Sequence, residues 1–187
     1  QPIADAGTGG NECDFDFVLS ANPSVGTGTW SKVSGPGNIS FSTSANDPTA
    51  TLTVDAYGSY VFRWTEINGG CSDFDDISVT FSAAPTADAG PATVEECDQS
   101  INLSGIQSVG GSTASWSVVA GNAADITFSN SGIFNPTVSS TAYGTYTLQL
   151  TETSGSCVST DNIVVTFTDQ PIADAGTGGN GWDLDFV

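Results

Sequence analysis

The chain contains no histidine, and only two basic residues, Lys32 and Arg63, stand against 21 acidic ones in 187. Each shortage removes a class of function. Without histidine no Ser-His-Asp arrangement can be built, and no Gly-x-Ser-x-Gly elbow occurs. Carboxylates are spread along the whole chain, so no one pair marks a glycosidase centre, and the chain is expected not to be an enzyme. A net charge of −19 excludes nucleic acid as a partner, because phosphates need Lys and Arg, and it opposes binding to an anionic lipid surface. No apolar run approaches the ~18 residues of a membrane helix, so no membrane insertion is expected. No signal-peptide pattern is present, as expected of an internal segment. Cys-x-x-Cys spacing is also missing, which with the lack of histidine argues against a zinc site. Lys32 is the sole lysine, so a stiffening Lys isopeptide bond cannot form in each half of the chain.

What is present is repetition. The residues Gln1-Pro2-Ile3-Ala4-Asp5-Ala6-Gly7-Thr8-Gly9-Gly10-Asn11 recur unchanged from Gln170 to Asn180, and a looser copy, Pro85-Thr86-Ala87-Asp88-Ala89-Gly90, lies between. Pro-x-Ala-Asp-Ala-Gly thus begins at positions 2, 85 and 171. Further landmarks align in order: Trp30 with Trp116, Phe41 with Phe128, Ala56-Tyr57-Gly58-Ser59-Tyr60 with Ala142-Tyr143-Gly144-Thr145-Tyr146, and Thr65-Glu66 with Thr151-Glu152. The expected organisation is module A over 1–83, module B over 84–169, and the start of a further module A over 170–187, a two-module period of 169 residues. Arrays of small modules give length and many weak contacts rather than one active site. The short, Pro-bearing junctions Ser82–Pro85 and Thr168–Pro171 favour a semi-rigid rod.

Gly, Ser, Thr and β-branched residues are abundant, as in all-β proteins rich in turns. Cys13, Phe15, Phe17 and Leu19 alternate with Asp14 and Asp16, and Trp182, Leu184 and Phe186 alternate with Asp183 and Asp185 in the third copy. Cys97, Ile101 and Leu103 share a face in module B. Tyr60–Trp64, Tyr146–Leu150, Ile77–Phe81 and Ile163–Phe167 alternate similarly, and Gly- and Asn-rich turns separate the runs. Roughly seven short strands per module predict an all-β fold of tandem two-sheet, immunoglobulin-like sandwiches. Trp30, Trp116 and Trp64 read as core. Tyr57 and Tyr143, each before the strand-entry Gly, read as tyrosine corners.

Four cysteines, Cys13, Cys71, Cys97 and Cys157, allow three pairings. A bond inside each module treats both modules alike without linking them, so Cys13–Cys71 and Cys97–Cys157 are predicted. The chain-entropy account assigns each about 4 kcal/mol. Such bonds imply an oxidising compartment.

The opening Pro-x-Ala-Asp-Ala-Gly and the late stretches Tyr57–Asp73 and Tyr143–Cys157 resemble PKD-type immunoglobulin-like domains, although the usual Ser-x-Asp-x-(Asp/Gly)-Gly turn is missing after Leu19 and Leu103. The acidic, Lys-poor, cysteine-bearing array is similar to giant surface proteins of Bacteroidetes, including SprB-type gliding adhesins exported by type IX secretion. The resemblance implies a cell-surface, extracellular location and a role in adhesion. Expected partners are neighbouring repeats of the same chain and, through the parent protein, surface polysaccharide or other cells. No cofactor is required. Calcium is the one candidate ion, since it takes six to eight oxygens. Its expected ligands are Asp5, Asp14, Asp16, Asp73, Asp75, Asp88, Asp98, Asp161 and Asp174, clustered near the module ends. The leading functional expectation is a structural spacer or stalk. Its rivals are a carbohydrate- or matrix-binding module using exposed aromatics and a polymerising filament subunit that docks its third repeat on another chain.

Overall fold

A computed structural model describes residues 1–174 and 176. The expected strands Trp182, Leu184 and Phe186 of the third copy lie outside the described residues. Seven strands build the first sandwich: β1 (Gly10–Glu12), β2 (Asp16–Val18), β3 (Thr27–Ser34), β4 (Ile39–Phe41), β5 (Thr51–Val54), β6 (Gly58–Asn68) and β7 (Cys71–Phe81). Seven more build the second: β8 (Thr93–Glu96), β9 (Ser100–Asn102), β10 (Thr113–Ala120), β11 (Ile126–Phe128), β12 (Thr137–Ser140), β13 (Gly144–Ser154) and β14 (Cys157–Phe167), with one 3₁₀ turn at Ala123–Asp125. The sheets repeat strand for strand. The larger ones run β1-β7-β6-β3 and β8-β14-β13-β10, and the smaller ones β2-β5-β4 and β9-β12-β11. The fold is therefore all-β, two immunoglobulin-like sandwiches in tandem.

Alternation explains the packing. On β6, Tyr60, Phe62 and Trp64 point inward and are essentially unexposed, as are Tyr146, Leu148 and Leu150 on β13. Trp30 pairs with Trp64 across β3 and β6, ring centroids 5.3 Å apart. Trp116 pairs with Leu150 at the matching position. Each sandwich has its own apolar cluster, one around Trp30, Tyr60 and Phe81, the other around Trp116, Tyr146 and Phe167.

Two local expectations are corrected. The run Cys13–Leu19 is not one strand. The chain bends at 13–15 as it passes from the larger sheet to the smaller, so Phe15, Phe17 and Leu19 turn inward while Cys13 stays exposed at the crossover. Cys97 sits at the matching crossover between β8 and β9, exposed and apart from inward-facing Ile101 and Leu103. The tyrosine corner also belongs to other residues. Tyr60 Oη donates to Ala56 O at 2.7 Å and Tyr146 Oη to Ala142 O at 3.2 Å. Tyr57 and Tyr143 are about half exposed, and Tyr57 stacks on Phe15 at 4.2 Å. A phenol can reach a carbonyl four residues back only from the inward face of the strand, which Tyr60 and Tyr146 occupy.

Candidate functional site at the module junction

The edge strands fix the direction of each module. β1 runs parallel to β7, with Glu12 opposite Phe81, and β8 runs parallel to β14, with Glu96 opposite Phe167. Cys13 therefore lies beside the last residue of β7, whereas Cys71 is its first. Ten residue steps at ~3.3 Å put the two about 33 Å apart, against the 7 Å limit for disulfide Cα atoms. The same separation holds for Cys97 and Cys157. The predicted intramodule pairs are thus overturned. Cys13 is bonded to Cys157, their Cα atoms 5.5 Å apart across 144 residues, while Cys71 and Cys97 are free and exposed. The bond joins the end of the first sandwich to the β13–β14 hairpin tip of the second. The bond takes one cysteine from each of two consecutive modules, and in the third copy Trp182 stands where Cys13 does in the first.

Around this bond the hairpin tip is seated. Cys157 is buried, and its Sγ lies 3.7 Å from both Glu12 O and Ser82 O. A side chain at Gly155, the hairpin turn, would collide with the Ser82 side chain. Ser82 N in turn donates to Glu12 O at 2.9 Å.

The repeated Pro-x-Ala-Asp-Ala-Gly motif is the splint that enters each module. Its amides bond to side chains of the last strand: Ala4 N to Asp73 at 3.0 Å and Ala6 N to Asp75 at 2.9 Å. In the second module Ala87 N donates to Ser159 Oγ at 3.2 Å and Ala89 N to Asp161 at 2.8 Å. Ala6 and Ala89 are fully buried, which leaves no room for a larger side chain. The motif Asp then makes a local turn, accepting from the Gly two residues on: Asp5 from Gly7, Asp88 from Gly90 and Asp174 from Gly176. These glycines have φ of 76°, 92° and 68°, a region that side-chain-bearing residues avoid.

A buried carboxylate holds the other side of the splint. Glu66 accepts from Ser24 N at 2.9 Å, Ser24 Oγ at 2.5 Å and Trp64 Nε1 at 3.1 Å. Glu152 accepts from Ser108 N at 3.0 Å, Ser108 Oγ at 2.8 Å, Val109 N at 3.1 Å and Ser112 Oγ at 2.5 Å. Each serine hydroxyl also accepts from the motif, Ile3 N at 2.9 Å and Thr86 N at 2.8 Å. A relay thus runs from linker amide to serine to buried glutamate. Burial pushes both carboxyls up, but the converging donors outweigh it and hold them below the ordinary glutamate range.

The nine expected calcium ligands are accordingly dispersed. Asp5, Asp88 and Asp174 close turns, and Asp73, Asp75 and Asp161 hold splint amides. Asp14 accepts from Asp16 N, and Asp16 from Thr53 Oγ1 at 2.6 Å. Asp98 sits at the exposed crossover beside Cys97. Among the described residues no three metal-binding side chains converge. Trp30 and Trp116, the two indoles whose exposure would favour sugar stacking, are only 2% and 4% exposed, whereas Tyr57, Phe74 and Tyr143 are exposed. A cavity of about 310 Å³ is lined by Pro23, Asn46, Pro48 and Trp64, among others. Among the described residues no helix is long and apolar enough to cross a membrane.

No protein-family model and no curated protein matches the sequence. Solved structures do. Extracellular domains 3–5 of Drosophila OTK overlay with a TM-score of 0.61 at 8% identity, covering 90% of this chain and 62% of theirs. Immunoglobulin domains 1–4 of Sidekick-1 give 0.54 at 11% identity, over 90% of this chain and 49% of theirs. Domains 1–5 of the same protein give 0.52 at 11%, over 90% and 40%. The chain therefore spans under two thirds of these tandem structures, and the likeness is one of fold.

Proposed function

We propose that the chain is a structural repeat segment of an extracellular, cell-surface adhesin or filament, and that its modules act as a semi-rigid spacer. The observation that carries this reading is the Cys13–Cys157 bond, which fastens consecutive modules to each other rather than stapling either one. A disulfide persists in oxidising surroundings, which supports an extracellular site. The splint and the glutamate relay remove freedom from the linker on both of its sides. The −19 charge keeps neighbouring rods apart and soluble. In this reading the chemistry of recognition belongs to other parts of the parent protein, such as a distal binder for surface polysaccharide or other cells. The sequence resemblance to gliding adhesins of the type IX route supports a setting of that kind.

Small-angle X-ray scattering tests the spacer directly. An eleven-residue strand spans about 36 Å, so two modules end to end reach roughly 75 Å. The oxidised protein is expected to show one sharp maximum dimension near that value, and reduction is expected to broaden the distance distribution. A broad distribution already in the oxidised protein, as from freely jointed beads, sinks the proposal.

A further inference from the structure

The two free thiols, Cys71 and Cys97, are counterparts of the two that are bonded. Cys71 corresponds to Cys157. Each opens the last strand of its sandwich and closes the same hairpin, Asn68 opposite Cys71 and Ser154 opposite Cys157. The hairpin glycines Gly69 and Gly155 have φ of 62° and 60°. Cys97 corresponds to Cys13. Each directly follows the parallel edge strand, and the carbonyl before it accepts from the junction residue: Ser82 N to Glu12 O at 2.9 Å, Thr168 N to Glu96 O at 2.8 Å. Thr168 Oγ1 lies 3.8 Å from Cys97 Sγ, so the seat that receives the hairpin tip in module A exists again at the end of module B.

One half of each couple is open. Gly155 abuts Ser82, whereas among the described residues nothing lies within 4 Å of a Cβ placed at Gly69. Module B is followed by Gln170–Asn180, identical to the start of module A, and although Trp182 then stands where module A has Cys13, the hairpin due at the Cys97 seat is that of an A-type module, the place of Cys71.

We propose that Cys97 forms a disulfide with the Cys71-type cysteine of the A module that follows it in the same polypeptide, closing the B-to-A junction as Cys13–Cys157 closes the A-to-B junction. This rests on reading the chain as a segment of a tandem array. The oxidant is a disulfide of the glutathione or oxidoreductase class. One thiolate attacks an oxidant sulfur, forming a mixed disulfide and releasing one oxidant thiolate. The second cysteine thiolate then attacks the protein sulfur of the mixed disulfide and expels the other. The two cysteine protons end on the two reduced oxidant thiols, so electrons and atoms balance.

The test is a tandem polypeptide in which residues 1–169 are followed by the full chain, refolded with oxidised and reduced glutathione at low protein concentration. Two units carry four cysteines each, eight in all. With Cys13–Cys157 formed in both units, the proposal leaves two thiols for alkylation after denaturation: Cys71 of the first unit and Cys97 of the second. Peptide mapping is expected to find Cys97 of the first unit joined to Cys71 of the second. Cys97→Ser in the first unit is expected to raise the thiol count from two to three. Four alkylated thiols with both Cys13–Cys157 bonds intact overturn the proposal, as does a doubled mass on a non-reducing gel, which places the partner on another molecule. The thiol count is independent of the scattering profile. A rod with four free thiols removes this bond but not the spacer, and a flexible particle with two removes the spacer but not the bond.

Discussion

Replacing Glu152 by alanine should loosen the second module at its entrance. The carboxylate receives four donors, among them the part-buried backbone amides of Ser108 and Val109. Each amide left without a partner costs about 1–3 kcal/mol, so a loss of about 3 kcal/mol is expected. One kcal/mol moves the midpoint of a domain of this size by about 4–8 °C, which gives a fall of roughly 12–24 °C in the module B transition by scanning calorimetry. Glutamine is the sharper variant. Ser108 N, Val109 N and Ser112 Oγ all converge on Oε1, which a glutamine carbonyl can keep. Only the charge and the bond from Ser108 Oγ to Oε2 change, so about 1 kcal/mol is lost at neutral pH. The folded carboxyl titrates below its ordinary value, so its contribution is complete above the unfolded pKa of about 4.3 and disappears as pH falls through the folded value beneath it. The gap between wild type and Glu152→Gln should therefore narrow as pH falls below the unfolded value of about 4.3. A gap that stays constant over that range, or an alanine variant melting with wild type, refutes the reasoning.

Three further outcomes are expected. Tyr60→Phe removes the corner bond to Ala56 O and should cost about 1 kcal/mol in urea unfolding, whereas Tyr57→Phe should be silent. Selective reduction of Cys13–Cys157 should expose the Ser82–Pro85 junction to proteolysis while each separated module retains its own cooperative melt; cleavage inside the sandwiches instead would count against the junction as the weak point. Excess EDTA decides calcium: an unchanged melting temperature is expected if the module-end aspartates serve only backbone amides, and a fall of several degrees would show that calcium binds.

Much of this was readable from alternation. The Tyr60-x-Phe62-x-Trp64 pattern identifies the central strand and its inward face, and the same period, carried two residues on, places Glu66 and Glu152 inside. The two glutamates are not legible as core groups because a carboxylate is ordinarily a surface group, and their serine partners lie 40 or more residues away. The pairing of cysteines was hidden for a different reason. Sequence order places Cys13 near the front of a module and Cys71 near its back, but the parallel edge strand sets them at opposite ends. The Pro-x-Ala-Asp-Ala-Gly motif was visible as a repeat, and its use as a splint became clear only with Asp75 and Asp161 beside it.

The crossing disulfide also sets where tension goes. If the chain is stretched from its two ends, the covalent path enters at the first cysteine, crosses the sulfur–sulfur bond and leaves from the β13–β14 hairpin. The 144-residue stretch it encloses carries no load. At about 3.4 Å per extended residue, roughly 500 Å of hidden length stays locked while that bond survives. Both sandwiches could lose their fold without the tether growing longer, and only a reductant would pay out the slack.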